Sequence, residues 1–182
     1  MKRLARSRPG RVLALRVVRP DVHVETVADV TPALLEELGV RGVLVDLDDT
    51  LIASNADAPS PSAEAWLRSL REAGIRVVIL SNGERKRVHE LAERFGLPAF
   101  ALVGKPFWFA FRRGLAALGT PRDASAMVGD QLFTDVLGAN CAGLTSILVR
   151  PLTPGKLPHT RLARRLERRI LTGGTRGSPV DR

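Results

Sequence analysis

Five short apolar runs occur in the middle of the chain, and amphipathic segments separate them. The runs occupy residues 42–47, 75–80, 100–103, 124–128 and 145–149. Strands that are apolar at consecutive positions are typical of a parallel sheet that is covered on both faces. The alternation of such strands with helices favours this arrangement over an all-helical or all-β fold. The sequence therefore predicts an α/β domain built on a doubly wound, five-stranded parallel sheet.

The ends of the predicted helices help to divide the chain. Thr31 and Ser60 each precede a proline, and this pair is typical of a helix N-terminus. The N-terminal residues 1–30 are predicted to form a basic extension. Residues 31–172 are predicted to form the domain, which ends in a basic helix. Residues 173–182 are predicted to be a disordered tail.

Polar side chains follow the first four predicted strands, at the point where each strand ends. In doubly wound sheets, ligands bind beyond the carboxyl ends of the strands. We therefore expect these side chains to meet at one edge of the sheet. In strand order, they are Asp46, Asp48 and Thr50, then Ser81 and Asn82, then Lys105, and finally Asp130 and Asp135.

The residue types at these strand ends predict a site for phosphoryl transfer. Carboxylates placed this close together repel each other unless a cation lies between them. Oxygen ligands of this kind suit Mg²⁺, which is commonly held by one or two carboxylates, waters and a substrate phosphate. Lys105 adds a positive charge for phosphoryl oxygens, and Ser81 and Asn82 add hydrogen-bond donors. The chain has no glycine-rich Walker loop, which excludes an NTPase of that type.

Taken in order, these motifs resemble those of the haloacid dehalogenase (HAD) superfamily of aspartate-nucleophile phosphatases. The matching pattern is Asp-x-Asp-x-Thr, Ser, Lys and Gly-Asp-x₄-Asp, and it extends over residues 43–149. The resemblance implies a Rossmann-like fold in which Asp46 attacks phosphorus and Asp48 acts as the general acid and base.

The same resemblance implies the remaining site residues. The phosphoryl group would be bound by Thr50, Ser81, Asn82 and Lys105. The Mg²⁺ ion would be held by Asp46, the backbone carbonyl of Asp48, Asp130 and the supporting carboxylate of Asp135. Asp135 could instead be only a helix N-terminal charge.

A narrower resemblance is to the YqeG-type branch, HAD subfamily IIIA. It rests on residues 129–140, on the pair Lys105-Pro106 and on a late segment at residues 166–171. The branch includes phosphatidylglycerophosphate phosphatases, so it implies hydrolysis of phosphatidylglycerophosphate to phosphatidylglycerol. Asp49 departs from the asparagine expected there, and we expect this change to have a small effect.

The gaps between the motifs are too short to hold a cap domain. About thirty residues separate Asp46 from Ser81, and a further short gap leads to Lys105. The site should therefore be open and suited to a head group that a membrane or macromolecule presents. Trp108 falls off the apolar face of its predicted helix. This indole either touches lipid or fills a gap beside the sheet.

Charge is concentrated at the two ends of the chain. Net charge is +9, and residues 1–19 hold seven Lys and Arg with no acid. Such ends favour an anionic membrane face, RNA or a ribosome, or they serve only solubility. Two alternatives therefore stay open: a phosphatase for a phosphoprotein, nucleotide or nucleic-acid end, and a ribosome- or RNA-associated binding protein.

Composition excludes several other classes of protein and of metal site. One cysteine and three scattered histidines exclude a disulfide framework and a cysteine-built zinc site, and disfavour a histidine metal site. No apolar run reaches the ~18 residues of a transmembrane helix, and no signal peptide is apparent. We therefore expect a cytoplasmic protein, with peripheral contact at the inner face of the membrane as a further expectation.

Overall fold

The computed structural model describes residues 17–153 and contains a parallel sheet of six strands. Their order across the sheet is β1-β6-β5-β2-β3-β4. Every pairing between neighbours is parallel. The strands are β1 (Val22–Val24), β2 (Gly42–Val45), β3 (Arg76–Leu80), β4 (Ala99–Phe100), β5 (Ser125–Gly129) and β6 (Thr145–Val149). The predicted α/β class and parallel sheet are confirmed.

Five α-helices connect these strands. They are α1 (Pro32–Glu37), α2 (Pro61–Glu72), α3 (Arg85–Phe95), α4 (Trp108–Leu118) and α5 (Leu137–Ala142). The predicted caps are present, because the Thr31 and Ser60 side chains accept hydrogen bonds from Leu34 N and Ala63 N at the starts of α1 and α2. Both helices carry proline in the first turn, where a missing N–H costs nothing.

Alternate residues of the central strands enter two different cores. Val43 and Val45 of β2 belong to a core shared with α1, α2 and α3. Leu44, between them, belongs to a second core shared with α4 and α5. Because strand side chains alternate between faces, a strand covered on both sides must be apolar at every position. This explains the continuous apolar runs of the sequence.

The sixth strand was not predicted. Strand β1 lies within the segment assigned to an N-terminal extension, yet Val22 pairs with Ile147 of β6. Asp21, just before β1, adds two hydrogen bonds between β1 and β6. Its backbone N–H donates to the Ser146 carbonyl at 3.0 Å, and its carboxylate accepts from Ser146 N at 2.8 Å. Three residues are too few to show a periodic pattern, so the pairing was invisible in the sequence. Residues 22–24 belong to the sheet.

The third predicted strand is shorter than expected. It ends at Phe100, because Leu102 and Gly104 adopt positive φ and turn the chain away from the sheet. Residues 1–16 and 154–182, which hold most of the predicted basic ends, the helix at 161–171 and the predicted tail at 173–182, lie outside the described residues. Within residues 17–153, no helix is long and apolar enough to cross a membrane.

The described connections contain no cap domain. One α-helix, α2, lies between β2 and β3, and one, α3, lies between β3 and β4. The first connection also contains a loop, in which Asp48 forms an isolated bridge with Ile52. The carboxyl edge of the sheet is therefore not covered by an inserted domain in residues 17–153.

Candidate active site

The central strands bring the predicted residues to one edge of the sheet. Val45 of β2 pairs with Ile79 of β3 and Val128 of β5, so these three strands finish nearly level. Asp46 continues β2, and its N–H donates to the Val128 carbonyl at 2.9 Å. Of the predicted site residues, most are buried: Asp46, Thr50, Ser81, Lys105, Asp130 and Asp135.

A buried charge cluster lies at the centre of this edge. The Lys105 ammonium is 2.8 Å from Asp46 Oδ1 and 2.7 Å from Asp135 Oδ1. Burial opposes the charge on Lys105, but Asp135 and Asp46 outweigh it and raise the pKa of this ammonium above its ordinary value. Lys105 is therefore charged throughout the physiological range and neutralises part of the carboxylate charge.

Asp135 is a member of this cluster rather than only a surface charge at a helix start. It is buried, and one carboxylate oxygen accepts from the Gln131 N–H at 3.1 Å. Burial raises the pKa of Asp135 to about 6, with Asp46 adding to the effect and Lys105 opposing it. Removal from water thus dominates the environment of this carboxyl group.

The cluster suits a divalent cation. Asp46, Asp130 and Asp135 each offer one carboxylate oxygen, and these oxygens lie within 4.8 Å of one another. Three carboxylates face the single ammonium of Lys105, so the cluster retains excess negative charge. An all-oxygen donor set is the type that Mg²⁺ prefers. Asp46, Asp130 and Asp135 would hold the ion, which supplies Lewis-acid stabilisation of phosphoryl oxygens when it is bound.

Asp48 occupies a different environment from Asp46. Its carboxylate is partly exposed and faces Arg87 of α3, whose Nη2 lies 3.4 Å from Oδ1. Burial and the charge of Asp46 raise the pKa of Asp48, and Arg87 opposes the shift. A raised pKa keeps more of the protonated form available, which a general acid requires. The two carboxyl groups after β2 therefore lie in different environments, and their separate catalytic roles stay a prediction.

Thr50 and Ser81 present hydroxyl groups toward this edge. The buried Thr50 Oγ1 has no hydrogen-bond partner among the described residues. A buried polar atom without a partner is costly, and a phosphoryl oxygen would satisfy it. Ser81 Oγ accepts from the Gly83 N–H at 2.9 Å, which leaves its own O–H to donate. Both hydroxyls fit the predicted phosphate-binding role.

Asn82 supports Lys105 through two hydrogen bonds. Its Oδ1 accepts from the Lys105 N–H at 2.8 Å, and its Nδ2 donates to the Lys105 carbonyl at 3.1 Å. These contacts fix the loop that carries the ammonium. Direct contact between Asn82 and a phosphate stays a prediction.

Two features around the loop after β2 were not anticipated, one within the loop and one on helix α3. Asp49, the departure from the expected asparagine, has a φ of 60°, a conformation that Asp tolerates better than most residues. Its Oδ1 accepts hydrogen bonds from Ser54 N at 3.1 Å and from the Thr153 hydroxyl. Arg87 was also missed, because a charged residue on an amphipathic helix gives no signal of where its side chain ends.

The haloacid dehalogenase-like hydrolase family matches this fold and site. Its sequence profile aligns with residues 23–143, about two thirds of the chain. The chain therefore belongs to the haloacid dehalogenase-like hydrolases. The family and the names of its relatives support a phosphatase.

Two individual relatives indicate which branch of the family this chain resembles. A probable phosphatase of the YqeG type from Bacillus subtilis (strain 168) is 37% identical over 84% of this chain and 89% of its own length. A chloroplastic phosphatidylglycerophosphate phosphatase 1 from Chlamydomonas reinhardtii is 30% identical over 73% of this chain, which spans about half (53%) of that relative. The predicted resemblance to the YqeG-type branch is confirmed by these similarities.

A solved structure has the same fold. The uncharacterized protein from Listeria monocytogenes serotype 4b superposes with a TM-score of 0.52 at 22% identity, over 65% of this chain and 85% of its own. At this identity the likeness concerns the fold alone.

Proposed function

We propose that the protein is a Mg²⁺-dependent phosphomonoester hydrolase that works through an aspartyl-phosphate. One observation carries this proposal: Asp46 is buried at the end of the central strand, with the Lys105 ammonium 2.8 Å away and two further carboxylates beside it. The ion pair with Lys105 holds one oxygen of Asp46 in place. A carboxylate that attacks a phosphate dianion is repelled by its negative charge. The bound cation and Lys105 would together reduce this repulsion.

The reaction divides into two displacements at phosphorus. In the first, an oxygen of Asp46 forms a bond to phosphorus, the ester P–O bond breaks, and Asp48 transfers its proton to the leaving alkoxide oxygen. In the second, Asp48 accepts a proton from water, the water oxygen attacks phosphorus, and the Asp46–phosphorus bond breaks. Inorganic phosphate leaves, and both aspartates return to their initial states.

Phosphatidylglycerophosphate is the proposed substrate. Similarity to the algal phosphatidylglycerophosphate phosphatase supports it, as does an edge of the sheet that no inserted domain covers within residues 17–153. A cap would sterically exclude a phosphate attached to a bilayer, whereas an open edge permits its approach. The product would be phosphatidylglycerol, and the protein would act peripherally at the cytoplasmic face of the membrane.

The test is phosphate release from phosphatidylglycerophosphate in mixed micelles, with Mg²⁺ or EDTA. Loss of a nucleophile costs roughly 10⁴-fold or more in turnover, so we expect Asp46→Asn to be inactive. Asp57→Asn is the matched control, because Asp57 is a fully exposed carboxylate on the same loop that also pairs with Arg87. Turnover by Asp46→Asn equal to that of Asp57→Asn would refute the nucleophile assignment.

The open edge also favours a second candidate class of substrate. A phosphoprotein, a nucleotide or a nucleic-acid end could reach the site as readily as a lipid. Release from a generic phosphomonoester without release from phosphatidylglycerophosphate would favour this class and remove the lipid assignment. The RNA- or ribosome-binding alternative rests on the basic ends, most of whose residues lie outside the described part of the chain, and it stays a prediction. Salt-sensitive RNA binding without phosphatase activity would favour it.

A further inference from the structure

Four large apolar side chains are exposed within residues 102–109, the segment that contains Lys105. Leu102, Phe107, Trp108 and Phe109 expose 61%, 62%, 59% and 48% of their surface, and we call them the aromatic patch. The Phe107 and Phe109 rings stack with centroids 5.7 Å apart. Large apolar patches on a soluble fold mark interaction surfaces, because solvation of such area is unfavourable.

The aromatic patch lies at the same edge of the sheet as the catalytic cluster. Leu102 N donates to the Gly83 carbonyl at 3.3 Å, which ties it to the loop after Ser81. Phe107 follows the loop of Lys105, and its N–H donates to the Gly104 carbonyl at 3.0 Å. A surface that contacts the patch would therefore also face the open site.

Arginines border the aromatic patch. The Arg112 guanidinium lies 4.7 Å from the centre of the Trp108 ring, and that of Arg113 lies 4.5 Å from the Phe100 ring. Arg113 also lines a cavity of about 200 Å³, together with Arg85, His89 and Ala101, the residue that precedes Leu102. The chain has no Asp or Glu between residues 99 and 122. The border is therefore complementary to anions.

We propose that the aromatic patch and its arginine border dock the protein on an anionic lipid bilayer. Trp and Phe favour the interfacial region of a membrane, where apolar rings are buried and polar atoms stay hydrated. Arginines at the same depth would contact lipid phosphates. The docking surface itself does not depend on the proposed function, but the presentation of a lipid phosphate to Asp46 rests on it.

Tryptophan fluorescence can test the contact directly. The chain has two tryptophans: Trp108 is 59% exposed, whereas Trp66 is 3% exposed and donates to the Val30 carbonyl at 2.8 Å. On vesicles of equal parts phosphatidylglycerol and phosphatidylcholine, we expect a blue shift and quenching by brominated lipid. Trp108→Phe should lose both signals yet still sediment with the vesicles, because Phe keeps the apolar surface.

Sedimentation of the full chain with these vesicles separates the contribution of the apolar side chains to binding from that of the arginines. Phe107→Ser/Trp108→Ser/Phe109→Ser should weaken binding roughly tenfold or more, and so should Arg112→Gln/Arg113→Gln. Arg122→Gln is the charge control, because Arg122 lies before β5 at the opposite edge of the sheet. Vesicles of phosphatidylcholine alone should bind weakly.

Several outcomes would overturn the docking proposal. Binding unchanged in both multiple variants would assign membrane contact to another part of the chain. Self-association in the ultracentrifuge that disappears in the triple serine variant would assign the patch to a second copy. Hydrolysis of a soluble phosphomonoester by wild type and both variants is measured in parallel. If wild type does not hydrolyse this substrate, the proposed function is wrong, but the vesicle-binding measurement still tests the docking surface.

Discussion

At the residue scale, two neighbouring aspartates differ because their surroundings differ. Asp46 is buried against the ammonium of Lys105, whereas Asp48 is partly exposed and faces Arg87. Burial and Asp46 raise the pKa of Asp48, while Arg87 lowers it. Two carboxyl groups held in unlike environments can therefore take the nucleophilic and the acid–base roles at one pH.

Removing Arg87 should shift the pH profile of the reaction. If Asp48 donates a proton, activity falls as pH rises through its pKa. Arg87→Met removes an interaction that lowers this pKa, so the alkaline limb of kcat/KM should move to higher pH. The maximal rate should fall by much less than the ~10²–10⁴-fold expected on loss of the acid itself.

Lys86→Met is the matched control for this profile. Lys86 precedes Arg87 on α3, is exposed, and pairs with Glu90 at 3.9 Å. Its removal should leave the limb in place. A limb that moves to lower pH in Arg87→Met, or equally in both variants, would contradict the proposed coupling.

At the element scale, close contact between α4 and α5 positions the loop of Lys105. A Cβ at Gly138 of α5 would overlap the ring of Phe111 on α4 and lie 3.2 Å from the Pro106 Cα. Phe111 is fully buried, so its ring has no free space to enter. Glycine at position 138 therefore lets α4, and with it the residues after Lys105, approach α5.

Gly138→Ala should destabilise the protein by about 1–3 kcal/mol through overpacking. Urea unfolding provides the measurement, and phosphatase activity should fall in the folded variant because Pro106 shifts. Gly114→Ala on α4 is the comparison, since the nearest atoms to its Cβ would be leucine methyl carbons, the closest at 2.9 Å, and the gain in helix propensity is common to both variants. Equal stabilities of the two variants would contradict this packing argument.

At the scale of the whole molecule, the site is assembled from residues far apart in the chain. Asp46, Lys105 and Asp130 follow three different strands, and only the assembled sheet brings them together. Burial of like charges destabilises the fold unless they are compensated. Binding of a cation to this cluster should therefore be linked to global stability.

Saturating Mg²⁺ should raise the melting temperature. A ligand at 100 times its Kd stabilises a protein by about 2.7 kcal/mol, which corresponds to roughly 5–10 °C for a chain of this size. Thermal denaturation monitored by circular dichroism, with Mg²⁺ or EDTA, measures the shift. In Asp130→Asn the shift should be largely lost, and a full shift in that variant would exclude Asp130 as a ligand.

Much of the fold and of the candidate site could be predicted from local patterns. The apolar run 42–47 indicated a strand covered on both faces, and β2 is buried at all four positions. The motif residues could be placed on strand ends because parallel strands finish at one edge. Strand β1 and Arg87 could not be predicted, since three residues show no period and a helix pattern does not locate a long side chain.

The sequence by itself determined the α/β class, the strand ends and the family, because these depend on local periodicity and on residues at fixed spacing. Only the tertiary structure decided that Asp46, Asp130 and Asp135 converge, that Asn82 supports Lys105, and that residues 17–153 leave the aromatic patch exposed. Distance and burial arise from packing between elements far apart in the chain. Local sequence patterns therefore do not predict these distances or this burial.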